Sequence, residues 1–306
     1  MIENTKYPLI SVIVPTFQRS SLLPRAIDSI LAQTWENIEI VVVDDNLQDS
    51  EEQKETHRVL ERYKDRKRFL YLTTPGKIGG GAARNLALRQ CHGEYVAFLD
   101  DDDKYLPDKL EKQISFIQKY RLDGCYHDVK WFNEKEKQVE YRTMDYTQDY
   151  SPEGLLKAHI LHSIAPTSIY MFRKDKLLTT EGFGEVASGQ DFILMLRCIE
   201  KGMKLHYMEG AYVIQYLHSG RRISLGDSKI KGENMLYRLK HQYFYLLTEE
   251  EQAYVKFRHY AVLAFSSMRS KRWRMAARYA VKTLKTSPWF CGKETIRYLR
   301  SKYRRK

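Results

Sequence analysis

An α/β fold, with a central mixed sheet flanked by helices and a C-terminal helical extension, is what this 306-residue sequence predicts. Three observations carry that reading. Up to about residue 124, short β-branched runs alternate with stretches whose apolar residues recur at helical spacing, the pattern of parallel strands joined by crossover helices. From about Cys125 the strands lengthen and become aromatic-rich, with irregular connections. After Gly226 helical periodicity alone remains. The length accommodates one large α/β domain followed by a smaller module. The expected division is 1–226, in two halves of 1–124 and 125–226, then a basic helical module over 227–306.

The elements follow in order. Residues 9–14 (LISVIV) read as a fully apolar strand closed by Pro15, which has no N–H to give a central ladder. Ser20 or Ser21 then caps a helix running to about Gln33, with Leu22, Leu23, Ile27, Ile30 and Leu31 on one face. Residues 38–43 (IEIVVV) form the second strand and end in Asp44-Asp45-Asn46. A polar helix leads to a third strand at 69–73, and the glycine-rich loop 77–81 opens a helix over 82–89. Residues 95–99 (YVAFL) form a fourth strand that runs straight into Asp100-Asp101-Asp102-Asp103. In an open parallel sheet such strand ends share one edge, where ligands bind, so the acidic and glycine-rich loops are expected to converge. Further on, strands are expected over 125–132 and 168–172, and helices over 192–201, 235–247, 250–268, 273–284 and 294–303. The stretch 254–284 resembles a helical-repeat hairpin, but one pair of helices is not an array.

The formal charge of +12 is concentrated at one end of the chain. Residues 251–306 hold 16 Lys and Arg against Glu251 and Glu294, a net +14, which leaves −2 for the first 250 residues. Such asymmetry suits an anionic partner for the last segment. Trp273, Tyr279, Trp289, Phe290 and Tyr298 interleave with those charges, as in a helix at a headgroup interface, although a module with aromatics in a core and solvated charges has the same pattern. No recognised nucleic-acid motif accompanies the charge, so nucleic acid is not an expected partner. Cys91, Cys125, Cys198 and Cys291 lack the paired spacing of a zinc or redox site and read as reduced thiols. The first residues lack the basic segment, long apolar stretch and small-residue cleavage site of a secretory leader, and no run of about 18 apolar residues occurs, so neither a leader nor a bilayer-crossing helix is expected. The expectation is a cytoplasmic protein whose membrane contact, on the cytoplasmic face, is peripheral.

Four consecutive aspartates after an apolar strand are costly, because neighbouring carboxylates raise one another's pKa. A hard cation relieves that cost, and an oxygen-only ligand set suits Mg²⁺ or Mn²⁺. The plain alternative is an acidic helix N-terminus, with Asp102 or Asp103 capping the helix that begins near Leu106-Pro107.

Taken together, SVIVPTFQR, VVVDDN, GGGAARNLAL and GEYVAFLDDDDKYLPDKL, in that order and spacing, closely resemble the inverting family 2 glycosyltransferases. The likeness is strong over the first half and extends to about His218. It implies the GT-A fold, a Rossmann-like nucleotide-diphospho-sugar transferase sheet, with 1–124 binding the nucleotide-sugar donor and 125–226 the acceptor. Pro15, Thr16 and Phe17 match the segment that packs on the nucleotide base, with Arg19 nearby. Asp45 matches the carboxylate that accepts from the base's ring N–H, and Arg84 a basic side chain that reaches the nucleotide. Asp100-Asp101-Asp102 sits in the place of the family's Asp-X-Asp. Asp102 is thereby the expected metal ligand for Mn²⁺ or Mg²⁺, Asp100 or Asp101 the contact to ribose or to water beside the metal, and Asp103 the helix cap.

The same resemblance implies a base for direct displacement at the sugar carbon, from a Glu-Asp pair that opens a helix after a glycine-rich loop. This chain has Gln190-Asp191 there, so Asp191 is the expected base and Gln190 a departure from the common glutamate. His218 lies where relatives carry a histidine near the metal or diphosphate, and Arg221 and Arg222 offer forked donors for phosphate oxygens. His159, His162 and Ser163 fall near the expected acceptor side. The implied reaction moves a sugar from a UDP-sugar to a saccharide or lipid-linked saccharide in surface polysaccharide assembly. Two alternatives compete with it. A sugar-nucleotide pyrophosphorylase would need a triphosphate loop that Lys77 and the glycines do not form, and a catalytically silent glycan- or nucleotide-binding protein is favoured only by Gln190.

Overall fold

The computed structural model describes residues 7–186, 188–217, 227–293 and 296, so His218, Arg221 and Arg222 lie outside the described residues, as does nearly all of the helix expected over 294–303. The chain divides into two compact units. The first holds 1–156, 164–185 and 190–219, the second 157–163, 186–189 and 220–306. Where the sequence suggested one cut near 226, the second unit thus gathers two short segments from earlier in the chain.

Among the described residues of the first unit, nine strands form one sheet. They are β1 (Ile10–Thr16), β2 (Ile38–Asp44), β3 (Phe69–Thr73), β4 (Tyr95–Phe98), β5 (Lys104–Tyr105), β6 (Gly124–Asn133), β7 (Gln138–Arg142), β8 (Met171–Arg173) and β9 (Leu205–Leu217). Their order is β3-β2-β1-β4-β8-β6-β9-β5, with β7 paired to β6. The first four named run parallel, as the crossover pattern requires, and β8 turns the sheet antiparallel against β4. The helices of this unit are α1 (Leu23–Leu31), α2 (Glu51–Leu60), α3 (Gly80–Gln90), α4 (Lys109–Tyr120), α6 (Lys174–Leu177), α7 (Gln190–Glu200) and the start of α5 (Pro152–His162), whose residues from Lys157 on belong to the second unit.

Side chains alternate across the central strands, and each face buries its own set. Ile13, Val41, Val43 and Phe98 pack with Ala83 and Ala87 of α3, whereas Val12, Val14, Ile40 and Val42 pack with Leu23, Ile27 and Ile30 of α1 and Ile114 and Ile117 of α4. Each of the Val, Leu, Ile and Phe side chains named contributes about 1.5–3 kcal/mol relative to exposure, and each alanine less. The small residues of α3 let that helix approach the sheet closely, beside the strand ends.

Four local expectations are corrected. Pro15 does not close β1. It pairs opposite Val43 on the β2 side, whereas on the β4 side the ladder ends with Leu99 N–H to Ile13 O at 3.0 Å, where the next bond would need the N–H that Pro15 lacks. No serine caps α1, whose N-cap is Leu22, because a turn from Leu22 N–H to the Arg19 carbonyl leads into the helix and a proline occupies its first turn. Residues 168–172 are not one strand. A 3-10 turn at Thr167–Ile169 precedes the short β8, because Tyr170 N bonds back to Thr167 O while Gln113 Nε2 takes the Ile169 carbonyl. Lastly, Asp103 caps nothing, since α4 starts only at Lys109 after an N-cap at Asp108 that makes no side-chain cap bond.

The second unit contains α8 (Asp227–His241), α9 (Glu249–Arg269) and α10 (Trp273–Thr286). Thr248 and Glu251 form a reciprocal capping box at the start of α9, satisfying two orphan N–H groups. His259 of α9 pairs with Glu233 of α8 at 3.2 Å and stacks on Tyr237. The earlier segments join this bundle through Lys157 and Glu251 at 2.9 Å, Lys240 Nζ donating to Ser163 Oγ at 3.1 Å, and the ring of His162 beside Tyr254. Among the described residues no helix is long and apolar enough to cross a membrane.

Candidate active site

Parallel strands β2, β1 and β4 deliver their C-terminal ends to one edge, and each continues into a polar loop. At the end of β1, Asp45 N–H donates to Thr16 O at 2.9 Å and Gln18 N–H to Asn46 Oδ1 at 2.8 Å, which ties the 16–19 loop to 44–46. Asp44 turns away from that edge. It accepts from Asn46 N–H and the Tyr71 hydroxyl, and burial raises its carboxyl above the usual range. Asp45 instead faces the glycine-rich loop, where its carboxylate accepts from Thr74 Oγ1 at 2.6 Å, Ile78 N at 2.9 Å and Gly79 N at 2.8 Å. One carboxylate thus fixes the path of the loop that opens α3. Gly79 at φ +89° starts that helix, a conformation that strains any side chain.

The four aspartates after β4 divide by direction. Asp103 N–H bonds to the Asp100 carbonyl at 3.1 Å, a tight turn that returns Asp103 towards Asp100. Asp101 points inward, accepting from Thr16 Oγ1 at 2.8 Å and from Arg19 at 3.4 Å. Burial, reinforced by the Asp102 charge, pushes its carboxyl up to about 7. Asp103 is buried against β9, where Tyr216 N–H and Gln215 Nε2 donate to it at 3.0 and 2.8 Å. Even so, desolvation and the charges of Asp102 and Asp100 hold its carboxyl well above the ordinary range.

Asp100, Asp102 and Asp103 each bring a carboxylate oxygen within 4.8 Å of the other two. The oxygens across an octahedral Mg²⁺ ion are separated by roughly 4.2 Å, so small side-chain adjustments suffice to bind a hard divalent cation. The donor set is all oxygen, and the crowded charge is what such a cation relieves. These residues therefore fit a divalent metal.

Three arginines surround the aspartates. Arg19 pairs with Asp102 and Asp101, and although burial alone lowers its pKa, those charges outweigh it and hold the guanidinium above its usual value. Arg84 pairs with Asp100 and lies 5.5 Å from the Phe183 ring. Arg25 of α1 donates to the Asp102 carbonyl and stacks 3.8 Å over Tyr216. The sequence motifs do not point to Arg25, to Gln215 or to the place of Asp103 in the carboxylate cluster. Arg25 lies inside an amphipathic helix, and Gln215 is 112 residues from Asp103 in the chain, so no local spacing announces either.

Gln190 and Asp191 open α7. A Cβ at Gly81 would lie 3.1 Å from the Gln190 amide carbon and 3.1 Å from Gly184 O, so glycine is what lets α3 start directly beside Gln190. Asp191 occupies the first turn of α7 rather than the N-cap, where its charge suits the positive end of the helix. Pro15 and Phe17 are half-buried beside Thr16. His159, His162 and Ser163 belong to the second unit, where His159 is buried.

The family model for glycosyl transferase family 2 matches residues 11–178. The chain belongs to glycosyltransferase family 2. Within this family it is 30% identical over 262 residues to an uncharacterized glycosyltransferase of Rickettsia felis, a match that covers 81% of this chain and 40% of that protein. It is likewise 30% identical over 222 residues to the GalNAc(5)-diNAcBac-PP-undecaprenol beta-1,3-glucosyltransferase of Campylobacter jejuni, covering 72% of this chain and 69% of that one. The crystal structure of S. aureus TarS 1–349 in complex with UDP-GlcNAc shares the fold, with a TM-score of 0.60 over 91% of this chain and 89% of that chain at 20% identity. The GT-A-like architecture of the family is thus present, a mixed sheet flanked by helices with a helical extension.

Proposed function

We propose that this family 2 chain transfers one sugar from a nucleotide-diphospho-sugar, a UDP-sugar, to a hydroxyl of a saccharide or lipid-linked saccharide, with inversion at the sugar's C1. The observation that carries the proposal is the carboxylate triad of Asp100, Asp102 and Asp103 at the C-terminal edge of the parallel strands, ringed by Arg19, Arg25 and Arg84. The undecaprenol-linked acceptor in the name of the Campylobacter relative supports the lipid-linked class of acceptor. A basic second unit is consistent with such an acceptor at an anionic membrane surface.

Asp102, with Asp100 and Asp103, would hold Mn²⁺ or Mg²⁺, which when bound neutralises charge on the departing nucleoside diphosphate as a Lewis acid. Pro15, Thr16 and Phe17 form the platform for the base, and Asp45 holds the glycine loop that borders it. Arg84 and Arg19, freed from their carboxylates by the donor's competing charge, supply bidentate donors to phosphate oxygens. Asp191 takes the acceptor hydroxyl's proton as that oxygen bonds to C1 and the C1–O bond to phosphate breaks, its electron pair leaving with the diphosphate. Gln190 orients the acceptor by hydrogen bonding and needs no second charge to do so.

A panel of nucleotide-sugars, scored by nucleoside diphosphate release with and without Mn²⁺ or Mg²⁺ and with saccharide and lipid-linked acceptors, tests this. Metal-dependent release with one donor is expected. Intact donors under every condition would leave a silent binding protein, and pyrophosphate-dependent formation of nucleoside triphosphate would indicate a pyrophosphorylase.

A further inference from the structure

Helix α10 is amphipathic on the side that faces solvent. Towards α9 it turns Tyr279, whose ring stacks on Tyr260 at 6.3 Å, the buried Thr283, and Lys282, whose ammonium lies 5.1 Å over the Tyr260 ring. Those contacts account for one face. On the opposite side Trp273, Ala277, Ala280 and Leu284 recur at i, i+4, i+7 and i+11 and are all exposed, Trp273 by 64% and Leu284 by 53%, with Val281 alongside at 50%. At 3.6 residues per turn the four fall within about 60° of one another, a single stripe. Arg274, Arg278 and Lys285 follow one position later, about 100° further round the helix, and are also exposed.

An ordinary surface helix buries its apolar stripe and solvates the rest. Here the helix packs through a tyrosine, a threonine and a lysine stem and leaves a tryptophan-led apolar stripe in water, beside a row of cations. That is the distribution of a helix lying in a lipid interface, with apolar side chains at the acyl boundary and cations on headgroup phosphates. The net +14 of residues 251–306 opposes pairing of this face with a second copy of the chain and attracts an anionic surface. Resting on the transferase reading above, we propose that the Trp273–Leu284 stripe of α10 lies on an anionic lipid bilayer, with Arg274, Arg278 and Lys285 on its phosphates, so that the chain works where a lipid-linked acceptor resides.

The test is co-sedimentation of the full chain with phosphatidylglycerol/phosphatidylcholine vesicles and with phosphatidylcholine alone. Binding is expected to the anionic vesicles only. Replacing Arg274, Arg278 and Lys285 together by Gln should weaken it on the order of 100-fold. Trp273→Ser with Leu284→Ser should weaken it as well, and what binding remains should vanish in high salt. Both variants change only exposed positions, so helix content by circular dichroism and vesicle-free nucleoside diphosphate release should be unchanged. Undiminished vesicle binding in either variant, equal binding to phosphatidylcholine, or self-association that the serine variant abolishes in a chain that ignores vesicles would each overturn the proposal. Vesicle binding with no diphosphate release from any donor would overturn the transferase reading and leave the membrane surface standing.

Discussion

Asp103→Asn separates the cost of the carboxylate cluster from its use. The three carboxylate oxygens lie within 4.8 Å of one another, and two unit charges at that distance repel by about 3.5 kcal/mol at an effective dielectric of 20. Arg19 and Arg84 offset part of this repulsion from the other side of the cluster. Removing the charge at 103 should therefore stabilise the ion-free protein by roughly 1–3 kcal/mol at mildly alkaline pH, a rise of about 2–4 °C in Tm per kcal/mol. An amide is sterically tolerated there. Tyr216 N–H keeps a carbonyl acceptor, and Gln215, whose Oε1 has no hydrogen-bond partner among the described residues, can rotate its amide to accept from the new N–H group.

The effect of the metal should have the opposite sign. An ion at a hundred times its Kd stabilises the native state by about 2.7 kcal/mol, and a hundredfold loss of affinity reduces that to about 0.4 kcal/mol. Thermal unfolding with and without Mn²⁺ should thus show a higher ion-free Tm in Asp103→Asn and a nearly abolished metal-induced rise. A lower ion-free Tm together with an intact metal-induced rise would refute both the crowding and the ligand assignment.

Three further outcomes follow from individual residues. Asp191→Asn should abolish sugar transfer while leaving nucleoside diphosphate affinity within about twofold, since Asp191 opens α7 and is remote in sequence from the nucleotide motifs; near-normal turnover would dismiss it as the base. Lys109 is fully buried, 4.0 Å over the Tyr105 ring and with no hydrogen-bond partner for Nζ among the described residues. Burial holds its pKa well below the ordinary lysine value, so its penalty is absent above the unfolded pKa and grows as pH falls. Lys109→Met should accordingly stabilise the fold by about 1–3 kcal/mol at neutral pH and by less in alkali, and a destabilised variant in urea unfolding would contradict this. Burial, with the neighbouring Lys109 charge, brings the His127 ring down to about 3 from its ordinary 6.5. The unfolded chain then takes up that proton first, so stability is complete above about 6.5 and declines towards 3 by about 1.4 kcal/mol per pH unit. In His127→Gln one proton's worth of that slope should disappear from urea midpoints taken at successive pH values; parallel slopes would rule the effect out.

Much of the site could be read in order along the chain because its parts lie at the ends of short apolar strands. The runs at 38–43 and 95–99 are unambiguous, and the polar residues after them must share an edge once the strands run parallel. Misreadings arose where a residue's partner is distant. Asp103 looked like a helix cap because capping is the local explanation of an aspartate before a helix, yet its hydrogen bonds come from β9. Pro15 looked like a strand terminator because the pattern alone does not reveal that β1 has a neighbour on each side, so that the ladder to β4 ends at its missing N–H while pairing with β2 continues to Thr16. Asp45 and the glycine loop were both marked, but not that the carboxylate holds the loop's own N–H groups.

By itself the sequence determined the α/β class, the order of the strands that carry polar ends, the acidic run and the segregation of positive charge into the last 56 residues, since each is a property of local composition or period. Only the tertiary structure decided how the four aspartates divide. Asp101 turns in to Thr16 and Arg19, while Asp100, Asp102 and Asp103 converge. The physical reason is that consecutive residues in a turn point in different directions. What each meets is set by strands and helices brought alongside it from as far as 112 residues away, a separation no sequence window spans.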